Sequence, residues 1–299
     1  MKRKRFSASN DGIAALLFIL PSFLGFLIFF LFPVLFSLGL SFGKWNMAGS
    51  FKNIKFVGIS NYTNILADVS FRTSMANSLI FTVTTVVIGT CLSLILAVII
   101  NKQVFFKGIM KVMFFMPYIS STVAISIVWM ILLQPTYGPI NQFLRSVGVE
   151  SPPNWLASID WALPALIAMY IWQNLGYTVV IYLAGLTSIS PELYEAAEVD
   201  GATGLRQFFS ITVPMISPTT FFIVIMGIIN SFKVFDQVMV LTQGGPGNAT
   251  SMLALYIYRE AFNNYRLGTS SASAWFMFVI IFVVTLIQWH GQKKWVSYD

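Results

Sequence analysis

Along the chain, polar and apolar positions separate into six long stretches without a charged residue: Gly12 to Gly43, Thr73 to Asn101, Val112 to Leu144, Trp161 to Pro191, Gln207 to Phe232 and Leu267 to Gln292. Each exceeds the roughly 20 residues that a helix needs to cross the hydrocarbon core of a bilayer. The short alternating strands of about ten residues that build a transmembrane barrel are absent from the pattern. The expectation is an all-α membrane protein with about six transmembrane helices, near residues 13–40, 74–100, 112–134, 161–186, 212–238 and 270–290. The first run follows Lys2-Arg3-Lys4-Arg5 as a secretory leader would. It far outruns the leader's apolar core of about 7 to 15 residues, so it reads as a retained span.

Composition removes the soluble alternative. Hydrophobic residues make up 57% and charged residues 10% of the chain, where soluble domains carry about 25% charge; the mean hydropathy is +0.76. Basic residues flanking the spans set orientation. Lys2, Arg3, Lys4, Arg5, Lys102, Lys107, Lys111, Arg206, Lys293 and Lys294 fall on one side, and Lys44, Lys52, Lys55, Arg72, Arg145, Arg259 and Arg266 on the other. The bias near the span ends favours a basic cytoplasmic segment 1–12, a transmembrane body 13–292 and a cytoplasmic tail 293–299. The net charge of +7 follows from this topology and calls for no nucleic-acid partner.

Catalytic signatures are missing. One His290 and one Cys91 leave no His/Cys metal cluster and no intrachain disulfide. The sequence has no phosphate-cradling GxxxxGK[ST], no HExxH and no GxSxG. His290 reads as an interfacial residue, Cys91 as a small packing residue. The chain is expected not to be an enzyme, to bind no cofactor and no metal of its own, and to draw any driving energy from another subunit or from an ion.

Between the fourth and fifth spans, residues 190–210 carry a different pattern. Ser190-Pro191-Glu192 is a helix start: a hydroxyl cap, a proline at the first position and an acid favoured by the helix dipole. Glu192, Glu195 and Glu198 share an acidic flank, opposed by Leu193, Ala196 and Ala197. Gly201 permits a left-handed backbone, and Thr203 can cap a second short helix through Leu205, Arg206 and Phe208. Residue chemistry alone leaves two readings, an interfacial linker and a docking element.

The spacing Glu195-Ala196-Ala197, with Gly201 four residues on and Ile211-Thr212-Val213-Pro214 beyond, closely resembles the EAA loop of ABC importer permeases. The similarity extends through Trp172-Gln173-Asn174-Leu175-Gly176-Tyr177, Leu183-Ala184-Gly185-Leu186, Phe235-Asp236, Leu241 to Gly247, Tyr256-Ile257-Tyr258 and Leu267-Gly268. Upstream, Gly138-Pro139-Ile140-Asn141 and Asn154-Trp155-Leu156 fit as well. From about Thr73 onward the chain is similar to the maltose-type, carbohydrate-uptake permeases. The resemblance implies a plasma-membrane subunit that pairs with a second permease subunit as a heterodimer, two cytoplasmic ATPases that use ATP and Mg, and an extracytoplasmic solute-binding protein. It implies that Glu195, Ala196, Ala197, Asp200 and Gly201 couple to the ATPase, and that the cargo is a sugar, with glycerol phosphate open.

The same resemblance places a substrate pathway at Tyr170, Gln173, Asn174 and Tyr177 on the fourth span, and at Gly227, Asn230, Ser231 and Val234 on the fifth. Polar side chains at bilayer depth turn to the bundle interior or a wet cavity. They also bond helix to helix, so both roles stay open. Lys233 and Asp236 can pair on one helix or serve an ion relay. Gly244-Gly245-Pro246-Gly247 must form a loop, and Trp45, Tyr62, Trp155 and Trp161 sit where interfacial anchors do. An ion-coupled secondary transporter is the alternative; it would show intramembrane carboxylates and an inverted repeat.

Overall fold

The computed structural model describes residues 8–46, 51–102 and 107–296; the basic tetrad Lys2 to Arg5 and residues 297–299 lie outside them. Helix α1 (Ala8–Phe26) continues through a π turn at Leu27–Leu31 into α2 (Phe32–Ser41). A two-stranded antiparallel ribbon, β1 (Gly43–Lys44) and β2 (Lys55–Phe56), precedes α3 (Ser60–Ala67) and the long α4 (Val69–Lys102). Then come α5 (Lys107–Ile119), α6 (Thr122–Leu132), α7 (Pro139–Ser146) and α8 (Ile159–Thr187). The segment after α8 holds α9 (Pro191–Val199), α10 (Gly204–Gln207) and α11 (Val213–Met215). The chain closes with α12 (Ser217–Phe232), α13 (Asp236–Leu241), α14 (Leu253–Tyr258) and α15 (Leu267–Gly291).

Among the described residues, four helical runs are long and apolar enough to cross a membrane: Ala15–Ser41, Val69–Lys102, Ile159–Thr187 and Leu267–Lys294. Counting two bent pairs as spans brings the total to six. The third and fifth spans are these two bent pairs. The third bends by 96° between Ile119 and Thr122, after Pro117 withholds a backbone donor and Ser120 Oγ back-bonds to the Met116 carbonyl at 2.9 Å. The fifth bends by 64° at Met215–Ser217, between Pro214 and Pro218, with Ser217 Oγ donating to the Pro214 carbonyl at 2.6 Å. It also stops at Phe232 instead of running to 238.

That stop separates Lys233, at the end of α12, from Asp236, the first residue of α13. Both are exposed and make no ion pair with each other, so the one-helix pairing is corrected too. Cys91 is exposed on α4.

The core forms where α4, α8 and α12 meet. One cluster gathers Ala97, Ile100, Val179, Tyr182, Leu186, Ile216 and Ile223; a second, toward the other end of α8, gathers Phe81, Leu166, Met169, Val234, Val238 and Leu255. The Tyr182 hydroxyl donates to Thr220 Oγ1 at 3.1 Å, tying α8 to α12. At the ribbon end, the Tyr256 hydroxyl donates to Asp68 Oδ2 at 2.9 Å. Burial first, and then this bond, push the Tyr256 hydroxyl well above the ordinary phenol range, which keeps it a donor. Nearby, Asn141 donates to the Pro135 and Pro153 carbonyls and accepts from Trp155 Nε1 at 2.6 Å, so the Gly138-to-Asn141 and Asn154-to-Leu156 motifs form one clasp.

Candidate functional site: a transmembrane cleft and a docking helix

Between the two core clusters, α4, α8 and α12 part to leave a narrow cleft of about 60 Å³, open in part to the surroundings. Five expected pathway residues border it: Tyr170, Asn174 and Tyr177 from α8, and Gly227 and Asn230 from α12. They fall at helical spacings of three, four and seven, so one side of each helix supplies them. The Asn174 amide donates to the Tyr170 carbonyl at 2.8 Å, and Tyr170 packs edge-on to Phe81 at 5.0 Å. Asn230 is exposed, and its side-chain amide makes no hydrogen bond among the described residues. A Cβ on Gly227 would come within 3.2 Å of Val86 Cγ2, so the glycine lets α12 approach α4 closely at the edge of the cleft.

The other three residues expected there point elsewhere. Gln173 is buried, donating to Thr122 Oγ1 and accepting from Gln237 Nε2, each at 3.3 Å. Ser231 is fully buried and donates to Thr82 Oγ1 at 3.0 Å. Val234 packs in the second core cluster. Helix-to-helix bonding, the second role left open by the sequence, is what Gln173 and Ser231 do. In their place α4 contributes Thr85, Val86, Gly89 and Thr90. The signal for these was a small, hydroxyl-bearing patch on the second span, Thr84-Thr85 and Gly89-Thr90, outweighed in the sequence by amides and aromatics on the fourth and fifth.

At the far end of α8 the chain builds a protruding hairpin. Ser190 occupies the cap position of α9 with Pro191 first in the helix, though the Ser190 side chain makes no capping bond. Asp200 ends α9 and Gly201 follows at φ +74°. Gly201 N–H donates to the Glu198 carbonyl at 3.0 Å and Ala202 N–H to the Ala197 carbonyl at 2.8 Å, the paired bonds of a Schellman stop. Thr203 Oγ1 then accepts from Arg206 N–H at 3.4 Å and starts α10. Tyr194 is the anchor: it packs on the first core cluster and its hydroxyl bonds Thr212 Oγ1 at 3.0 Å.

Glu192, Glu195, Ala196, Glu198, Asp200 and Gly201 are all exposed, while Ala197 is half-buried. Large apolar side chains stand out beside them, with Val199 88% and Leu205 74% exposed. Five expected coupling residues thus lie on one projection, rigidly rooted at Tyr194. An apolar group rimmed by carboxylates marks a protein-contact surface.

Residues 89–295 match the family described as binding-protein-dependent transport system inner membrane component. The chain belongs to this family. The permease is 33% identical to the probable ABC transporter permease protein YesP of Bacillus subtilis strain 168, covering 100% of this chain and 96% of that protein. It is also 33% identical to the lactose transport system permease protein LacF of Rhizobium radiobacter, covering 93% of each. Among solved structures, a bacterial alginate ABC transporter in complex with a periplasmic protein bound to an alginate pentasaccharide aligns with a TM-score of 0.82. That match has 26% identity and covers 96% of each chain. The permease is a multi-pass inner-membrane protein with a transport role that works with a solute-binding protein, and the ion-coupled carrier finds no support.

Proposed function

We propose that this chain is one of two permease subunits of an ATP-driven importer for an uncharged saccharide. The observation that carries the cargo class is the lining of the cleft, which sets the Asn174 and Asn230 amides, threonine hydroxyls and aromatic rings among aliphatic side chains such as Val86, Ile171 and Met226, with no Lys, Arg, Asp or Glu among the described residues. Sugars hydrogen-bond to amides and hydroxyls and lay their C–H faces on aromatic rings. A phosphate or carboxylate entering the same surroundings would shed water for no compensating charge. Lys233, the basic residue that ends α12, is absent from this lining.

The cleft is open on one side, which suits half of a pathway completed by a second, different permease. Tyr170, Asn174, Tyr177, Gly227 and Asn230 contact the sugar in this reading, with Thr85 and Thr90 as further hydroxyl partners. Glu195, Ala196, Ala197, Asp200 and Gly201 form the contact with one of two ATPases, which bind ATP and Mg and do the hydrolysis; this chain is the non-catalytic part. Closure of the ATPases pushes on α9, and the Tyr194–Thr212 contact passes the displacement to α12, which carries Gly227 and Asn230. Basic residues on the α9 side favour a cytoplasmic location for that end and for both termini.

The test is reconstitution into proteoliposomes with the second permease, the ATPases and the binding protein, supplied with lactose, maltotriose or glycerol 3-phosphate. ATP-dependent accumulation of a neutral sugar supports the reading. Uptake of glycerol phosphate alone, or uptake driven by an ion gradient without ATP, contradicts it.

A further inference from the structure

The cleft residue Tyr177 has a partner that the pathway set does not include. Tyr118, on α5 just before the 96° bend, lies parallel to it, with ring centroids 4.6 Å apart and 15° between the planes. Tyr177 borders the cleft and Tyr118 does not. One face of the Tyr177 ring is therefore covered by the Tyr118 ring, itself exposed, and the cleft reaches Tyr177 from its remaining surface.

This arrangement is held on both sides. One residue before Tyr177, a Cβ on Gly176 would overlap the Phe114 carbonyl, so α5 and α8 touch backbone to backbone. One turn earlier on α8, Gln173 Nε2 donates to Thr122 Oγ1 at the start of α6. The two contacts clamp both arms of the broken span against α8, and the bend sets Tyr118 between them.

We propose that Tyr118 is a positioning residue for sugar recognition: it fixes the Tyr177 ring so that a saccharide stacks on it from the cleft side alone. This rests on the sugar reading above. Aromatic pairs of this kind contribute beyond simple burial, and a ring already held in place loses less freedom when a ligand stacks on it. The break just after Tyr118 brings α6 back to α8, where Thr122 meets Gln173.

The complete transporter in proteoliposomes, given lactose and maltotriose together, tests this through sugar delivered per ATP hydrolysed. Tyr118→Ala lowers that ratio by about three- to tenfold while binding-protein-stimulated ATP hydrolysis persists, and Tyr118→Phe, which keeps the stacked ring, restores it. A wild-type ratio in Tyr118→Ala overturns the proposal. So does a parallel fall of hydrolysis and uptake in both variants, which marks a brace of the fold only. If the wild type delivers neither sugar, the underlying sugar reading fails and takes the proposal with it.

Discussion

Asn230 and Ser231 are neighbours in sequence and opposites in role. Asn230 faces the cleft with its amide unengaged among the described residues, while Ser231 is buried and bonded to Thr82. Changing Asn230 to Leu therefore lowers sugar delivered per ATP while leaving the assembled complex intact, as uptake and co-purification together would register. Ser231→Ala removes a buried interhelical bond worth about 0.6–1 kcal/mol; it lowers the unfolding temperature in detergent and leaves the delivery ratio alone. The sequence singled out both residues because each is polar within an apolar run. It could not separate them, because one residue on a helix is a rotation of about 100°, and only packing fixes the rotation. Gln173 and Asn174 were indistinguishable for the same reason.

Among the elements, the two broken spans and the docking hairpin differ in how far local chemistry announces them. The hairpin was legible: Pro191 opens α9, Gly201 closes it at φ +74°, and Thr203 opens α10. Gly201→Val places a β-branched residue in a left-handed conformation that costs about 1–2 kcal/mol. The expected outcome is retained membrane insertion with ATP hydrolysis uncoupled from uptake, and unaltered coupling would argue against a rigid turn. The broken spans were not legible, since a charge-free run reports length and says nothing of direction. Pro117 and Pro214 sit inside such runs, and a proline in a membrane helix is compatible with a mild kink or a full break. Gly176 shows what fixes the choice: α5 lies so close to α8 that Gly176→Ala must separate them. That variant is expected to lower the melting temperature in detergent more than Gly89→Ala, whose Cβ meets open space.

At the scale of the whole molecule, two apolar surfaces stand out among the described residues, although the α2 end of the first is bonded to α15 through Ser37 and Trp275. The hydrophobic window of the Ala15–Ser41 span has 0% of its residues buried, and the α9 projection carries exposed Val199 and Leu205 within a ring of carboxylates. The first surface suits lipid or the second permease, and the second suits a basic, partly apolar groove on an ATPase. Charge complementarity of this kind sets specificity, so reversing one charge at the centre is disruptive out of proportion to its size. In the proposed transport cycle, energy enters this chain at α9. Affinity co-purification of the tagged chain from native membranes, wild type against Glu195→Lys, puts this to the test. Recovery of both an ATPase and a second permease with wild type, and selective loss of the ATPase with Glu195→Lys, is the predicted result; equal recovery of the ATPase with both chains would contradict it.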